Sequence, residues 1–138
     1  MANLTESPRI VLCVDDDADD RELVGYTIKQ IDPSFDVVHA ENGLEAIQLL
    51  TKAKETSKFP CLIILDVNMP KMDGKKTLAE IKKDRQLSKV PIVIFTTYND
   101  PMDETYYAAY GVEVVTKPSS LHTIKSEVQR LLKHCPDT

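Results

Sequence analysis

Residues 61–67 read CLIILDV: five apolar residues run without interruption into Asp66. A half-wet strand would alternate polar and apolar side chains. This run does not alternate, so it fits a short strand covered on both faces. Covering both faces takes helices on each side. Strands joined through helices pair in parallel by right-handed crossovers.

The flanking sequence repeats the arrangement. Strand-like runs stand at RIVLCV (9–14), FDVVHA (35–40), PIVIFTT (91–97) and VEVVT (112–116). Pro91 is tolerated at the first position of its strand. Between and after them lie segments with apolar residues at helical spacing. These are DRELVGYTIKQI (20–31), NGLEAIQLLTKAKE (42–55), DGKKTLAEIKKDR (73–85), PMDETYYAAYG (101–111) and SLHTIKSEVQRLLKH (120–134). Pro101 and Gly111 supply start and stop signals for the fourth helix. Five strands alternating with five helices predict an α/β fold with a parallel sheet between two helical layers.

A length of 138 residues suits one domain, 1–138, with a core over about 9–134. A net charge of -5 argues against a nucleic-acid surface, which needs clustered Lys and Arg. The opening MANLTESP lacks the basic and apolar regions of a secretory signal, and no apolar run is long enough to span a membrane. Cys13, Cys61 and Cys135 are odd in number and lack metal-ligand spacing. Cys13 and Cys61 lie in apolar runs and are expected to be buried thiols, in a cytoplasmic, reducing compartment.

Open parallel sheets bind ligands beyond the carboxyl ends of their strands. The first strand ends at Asp15, Asp16 and Asp17, the third at Asp66, the fourth at Thr96 and Thr97, and the fifth at Lys117 and Pro118. Carboxylates gathered this closely call for a cation, and oxygen-only ligands select Mg²⁺ or Mn²⁺ over zinc. A carboxylate beside such a metal can attack a phosphoryl group, with a lysine and a hydroxyl neutralising the transferred oxygens. Asp17, Asp19 and Asp20 are expected to form a solvated, helix-capping turn, with Asp19 or Asp20 capping the first helix. His39, His122 and His134 are scattered and are expected to be ordinary histidines. Tyr106, Tyr107 and Tyr110 are candidates for a partner face, ordinary packing explaining them equally well.

VDDD ending the first strand, LDVNMPKMDG after the third, TT after the fourth and TKP after the fifth resemble the response-regulator receiver domain. The resemblance covers nearly the whole chain. It implies a flavodoxin-like (βα)5 three-layer sandwich with strand order 2-1-3-4-5. It makes Asp66 the phosphoacceptor, Thr96 and Lys117 the contacts to the phosphoryl oxygens, and Asp15, Asp16, Asp66 and the Asn68 carbonyl the metal set. Met69, Pro70 and Gly74 would shape the loop after Asp66, and Pro118 would follow a cis bond. Asn68 and Tyr98 take positions that influence dephosphorylation in the family. The implied function is that of a stand-alone signalling receiver rather than an enzyme. It would be phosphorylated by a histidine kinase or phosphotransfer protein and signal to a protein partner, or a homodimer, through the helix 4–strand 5–helix 5 face.

Stretch 77–97 is also similar to the phytochrome-associated stand-alone receivers. Val114 departs from the family, where an aromatic residue often reports phosphorylation. Signal coupling is then expected to run through the TTYND loop and the fourth helix. Val114 also keeps in view a phosphorylation-independent binding module. Two other carboxylate chemistries fail. An EF-hand would need Gly at Asp20 and Glu at Tyr26. A haloacid-dehalogenase-type phosphatase would need an acid at Asn68.

Overall fold

A computed structural model describes residues 9–67, 73–97 and 101–135. Among these, strands β1 (Arg9–Val14), β2 (Phe35–Ala40), β3 (Leu62–Leu65), β4 (Ile92–Thr96) and β5 (Glu113–Thr116) form one sheet. All pairs are parallel and the order is β2-β1-β3-β4-β5, as the sequence resemblance implies. The connecting helices are α1 (Ala18–Ile31), α2 (Gly43–Thr56), α3 (Gly74–Lys83), α4 (Pro101–Ala109) and α5 (Leu121–Leu131).

Each central strand supplies two cores. Leu12 and Val14, Ile63 and Leu65, and Ile92 and Ile94 face α2, α3 and α4. Val11 and Cys13, Leu62 and Ile64, and Val93 and Phe95 face α1 and α5. Both alternating sets are apolar, which is why the strands read as unbroken runs. Burying these branched side chains supplies about 1.5–3 kcal/mol each.

Most helices open on a side-chain cap that takes up an otherwise orphaned backbone N–H. Asn42 accepts from the N–H of Glu45, Asp73 from that of Lys76 and Ser120 from that of Thr123. For α1 the cap is Asp17, which accepts from the N–H groups of Asp19 and Asp20. The expected cap at Asp19 or Asp20 is therefore corrected. The helix begins at Ala18, so both acids already lie in its first turn.

Two further expectations change. Cys61 is not a free thiol but is bonded to Cys135, 74 positions away; Cys13 remains free and buried. The two cysteines meet because α5 returns its C-terminal end to the bottom of the sheet, where β3 begins. The Lys117–Pro118 bond is trans, as are all peptide bonds among the described residues. Trans is the lower-energy isomer even before proline. For Tyr107 the packing alternative holds: it is a core residue, 1% exposed. Tyr106 packs edge-on against both Tyr107 and Tyr110.

Near the lower end of the sheet Arg9 lies 4.2 Å over the Phe35 ring and pairs with Asp32 at 2.5 Å. Asp32 also accepts from the Ser34 hydroxyl and N–H. These Ser34 bonds, then Arg9, lower the Asp32 carboxyl from an ordinary 3.8 to about 2. A lowered acid stabilises the fold above its unfolded value and loses that contribution as pH falls towards the folded one. Acid titration followed by circular dichroism is therefore expected to show Asp32→Asn losing less stability than the parent between pH 3.8 and about 2. Equal losses would show that the Arg9–Asp32–Ser34 cluster adds nothing.

Candidate functional site

The carboxyl ends of β1, β3, β4 and β5 meet at one edge, and each brings a polar residue. Asp15 follows β1, and its N–H donates to the Ala40 carbonyl at 3.1 Å. Asp66 follows β3, and its N–H donates to the Val14 carbonyl at 2.9 Å. Lys117 follows β5, and its N–H donates to the Thr96 carbonyl at 2.7 Å. Sheet-type hydrogen bonds thus extend one residue past the strands and fix the backbone beneath the site. Asp15, Asp66 and Thr96 are 7%, 6% and 1% exposed, whereas Asp16 is exposed.

Among the described residues, carboxylate oxygens of Asp15, Asp16 and Asp66 gather within 4.8 Å of one another. The Lys117 ammonium lies among them. It donates to Asp15 Oδ2 at 2.6 Å and Asp20 Oδ2 at 2.9 Å, and stands 3.6 Å from Asp66 Oδ2. Burial alone would lower its pKa. The bonds to Asp15 and Asp20, with the charges of Asp66 and Asp15, outweigh burial and hold its pKa above the ordinary lysine value of 10.5. A raised lysine keeps its stabilising charge at every pH below its unfolded value, so this pairing persists across the neutral range. The other Asp15 oxygen, Oδ1, accepts from the Asp17 N–H at 2.9 Å, and its carbonyl accepts from Arg21 Nη1 at 2.7 Å.

One lysine cannot neutralise Asp15, Asp16, Asp20 and Asp66 together. The uncompensated charge, the convergence of the oxygens and their hardness fit a divalent cation such as Mg²⁺ or Mn²⁺. A thiol or imidazole donor that would favour zinc is not part of the cluster. The free thiol nearby, Cys13, is pushed up to about 12 by burial and then by the charge of Asp15, and stays protonated.

Of the sequence-predicted residues, Asp15, Asp16, Asp66, Thr96 and Lys117 lie at this edge. Asn68, Met69, Pro70 and Tyr98 lie outside the described residues. Sequence reasoning missed Asp20 and Arg21. The topology held a signal for Asp20. α1 and α5 cover the same face, so the first turn of α1 must approach the loop entering α5, which carries Lys117. Gly74 sits against the exit of β3. A β-carbon there would stand 2.3 Å from Val67 Cα and 2.7 Å from the Asp66 carbonyl oxygen.

Comparison with known proteins agrees with this geometry. The family described as the response regulator receiver domain matches residues 11–129. Response regulator Rcp1 of Synechocystis sp. (strain ATCC 27184 / PCC 6803 / Kazusa) is 32% identical over 134 residues, covering 94% of this chain and 90% of Rcp1. The crystal structure of the Mn²⁺-bound form of Rcp1 superposes with a TM-score of 0.80, covering 91% of this chain and 93% of that one. That of the phosphorylated cyanobacterial phytochrome response regulator RcpA gives 0.84 at 26% identity, covering 95% of this chain and all (100%) of RcpA. Chemotaxis response regulator CheY4 of Vibrio cholerae gives 0.74 at 31% identity, covering 91% and 100%.

The chain belongs to the response-regulator receiver domain family. It has the flavodoxin-like fold of that family, whose members act in two-component signalling.

Proposed function

We propose that the chain is a phosphorylation switch that takes a phosphoryl group onto Asp66 from a histidine kinase or phosphotransfer protein in the cytoplasm. The observation that carries this reading is the meeting of Asp66 with Asp15, Asp16 and Lys117 at one buried sheet edge. An oxygen of Asp66 attacks the phosphorus of the donor, and the bond from phosphorus to the donor breaks with its electron pair leaving on the donor. Lys117 stands ready to ion-pair with the phosphoryl oxygens, and the Thr96 hydroxyl to donate to one. Asp15 and Asp20 keep the ammonium in place. Asp15, Asp16 and Asp66, with the Asn68 carbonyl that the family resemblance adds, would hold Mg²⁺ or Mn²⁺, which would supply charge neutralisation for the transferring oxygens.

Output goes to a protein partner, or a second copy, through α4, β5 and α5. Met102 on α4 and Leu121 on α5, 83% and 70% exposed, support that face. Similarity to RcpA, a phytochrome response regulator, supports a phytochrome-type kinase as the phosphoryl source.

Intact-mass spectrometry after incubation with acetyl phosphate tests the switch. A single phosphoryl adduct is expected with Mg²⁺ and none after chelation. A folded protein that takes no adduct in either case would instead be a phosphorylation-independent binding module.

A further inference from the structure

We propose that Cys61 and Cys135 form a reversible thiol–disulfide exchange site that sets the stability of the C-terminal end of α5, with a low-molecular-weight thiol as its reactant. The cysteines lie 74 positions apart with Cα atoms 5.0 Å apart. Cys61 leads into β3, its N–H bonded to the Ile10 carbonyl at 2.8 Å. Cys135 closes the 3-10 turn Leu132–His134 that follows α5. The bond therefore ties the end of α5 to the lower edge of the sheet, the edge opposite the acidic site.

Besides the bond, that end is held by the burial of Leu131 and Leu132 in the core. Its polar links to the sheet are the ion pairs of Glu113 with Arg130 at 2.7 Å and with His134 at 4.0 Å. All three side chains are about two-fifths exposed, where such pairs contribute little. Leu131 and Leu132 are buried, so loosening this end also loosens the core between α1 and α5.

The chemistry is confined to this pair. Cys61 is the half-buried member of the pair, whereas Cys135 is 5% exposed, so attack is assigned to the Cys61 sulfur. The thiolate of the small molecule bonds to Cys61 Sγ, and the Cys61–Cys135 bond breaks. Its electron pair leaves on Cys135 Sγ, which takes a proton. A second thiol attacks the mixed disulfide, frees Cys61 as a thiol and departs as the oxidised small disulfide. Two electrons and two protons pass to the protein, and the reverse sequence re-forms the bond. Cys13 is excluded, because its thiol stays buried and protonated at about 12. The reversible reading rests on the cytoplasmic placement proposed above, where the disulfides that do form are usually transient and catalytic or redox-sensing.

The test uses the full chain equilibrated with oxidised glutathione or with excess reduced glutathione. Maleimide labelling after unfolding is read by mass, and thermal melting is followed on the same samples. One of the three cysteines is expected to label in the oxidised protein and all three in the reduced protein. Reduction is expected to lower the melting temperature by roughly 10 °C, the effect of opening a loop of this length. Cys135→Ser is expected to melt like the reduced parent in both buffers. The thiol count on the parent needs no variant, so it decides even if Cys135→Ser fails to fold. Three labelled cysteines after oxidation, or a bond that survives excess reduced glutathione, would overturn the proposal. The phosphoryl adduct, measured on the same samples, reports separately on the switch at Asp66.

Discussion

Asp66→Asn is expected to take up no phosphoryl group from acetyl phosphate, with or without Mg²⁺, and yet to melt a few degrees higher than the parent. The first effect follows from chemistry, since an amide oxygen is a poor nucleophile and leaves no stable acyl phosphate. The second follows from charge. Asp15, Asp16 and Asp66 converge within 4.8 Å, and Asp20 shares the same Lys117 ammonium. Removing one carboxylate relieves more repulsion than the 3.6 Å contact between Lys117 and Asp66 returns. The gain is on the order of 1 kcal/mol in metal-free buffer. Mg²⁺ is expected to stabilise the parent by binding the native state, and that increment to shrink in the variant. Paired thermal melts in chelator and in Mg²⁺ separate the two effects. A variant that melts lower than the parent in chelator would show that the cluster is already balanced without a cation.

Gly74→Ala is expected to be the most damaging single methyl group in the chain. The first turn of α3 presses on the exit of β3, and the Gly74 N–H donates to the Val67 carbonyl at 3.2 Å. The new β-carbon would meet Val67 Cα at 2.3 Å and the Asp66 carbonyl oxygen at 2.7 Å, both backbone atoms that cannot rotate aside. Either α3 shifts or Asp66 moves. A loss of about 3 kcal/mol is expected in urea unfolding. Phosphoryl uptake slows roughly tenfold to a hundredfold as the acceptor is displaced. Gly111→Ala is the control. Gly111 has a φ of 70° but open space around it, so alanine there costs about 1 kcal/mol and leaves uptake unchanged. Equal urea midpoints for the two variants would refute the close-approach argument.

The strands were legible because each central one is apolar on both faces, and RIVLCV and FDVVHA were placed to the residue. Helix ends were less so. Any of Asp17, Asp19 and Asp20 could cap α1, and the choice depends on where the chain turns after Asp16. Five of the six candidate site residues could be found because strand ends share an edge by topology. Asp20 was lost among its neighbours, since its partner Lys117 lies 97 positions away. The Cys61–Cys135 bond left no local trace either. CLIILDV looks the same whether its first residue is a thiol or half of a cross-link.

The hydrogen bond between Asp15 and Lys117 spans 102 positions, and the lysine follows the edge strand β5. During synthesis the acids of β1 and β3 emerge long before the ammonium that counters them. A nascent or truncated chain lacking β5 therefore carries Asp66, the proposed phosphoacceptor, beside Asp15 and Asp16 without the lysine that counters them, which opposes both collapse and the approach of an anionic donor. On the proposed function, competence to receive a signal arrives with the last strand, so an unfinished receiver is expected to stay silent by electrostatics alone.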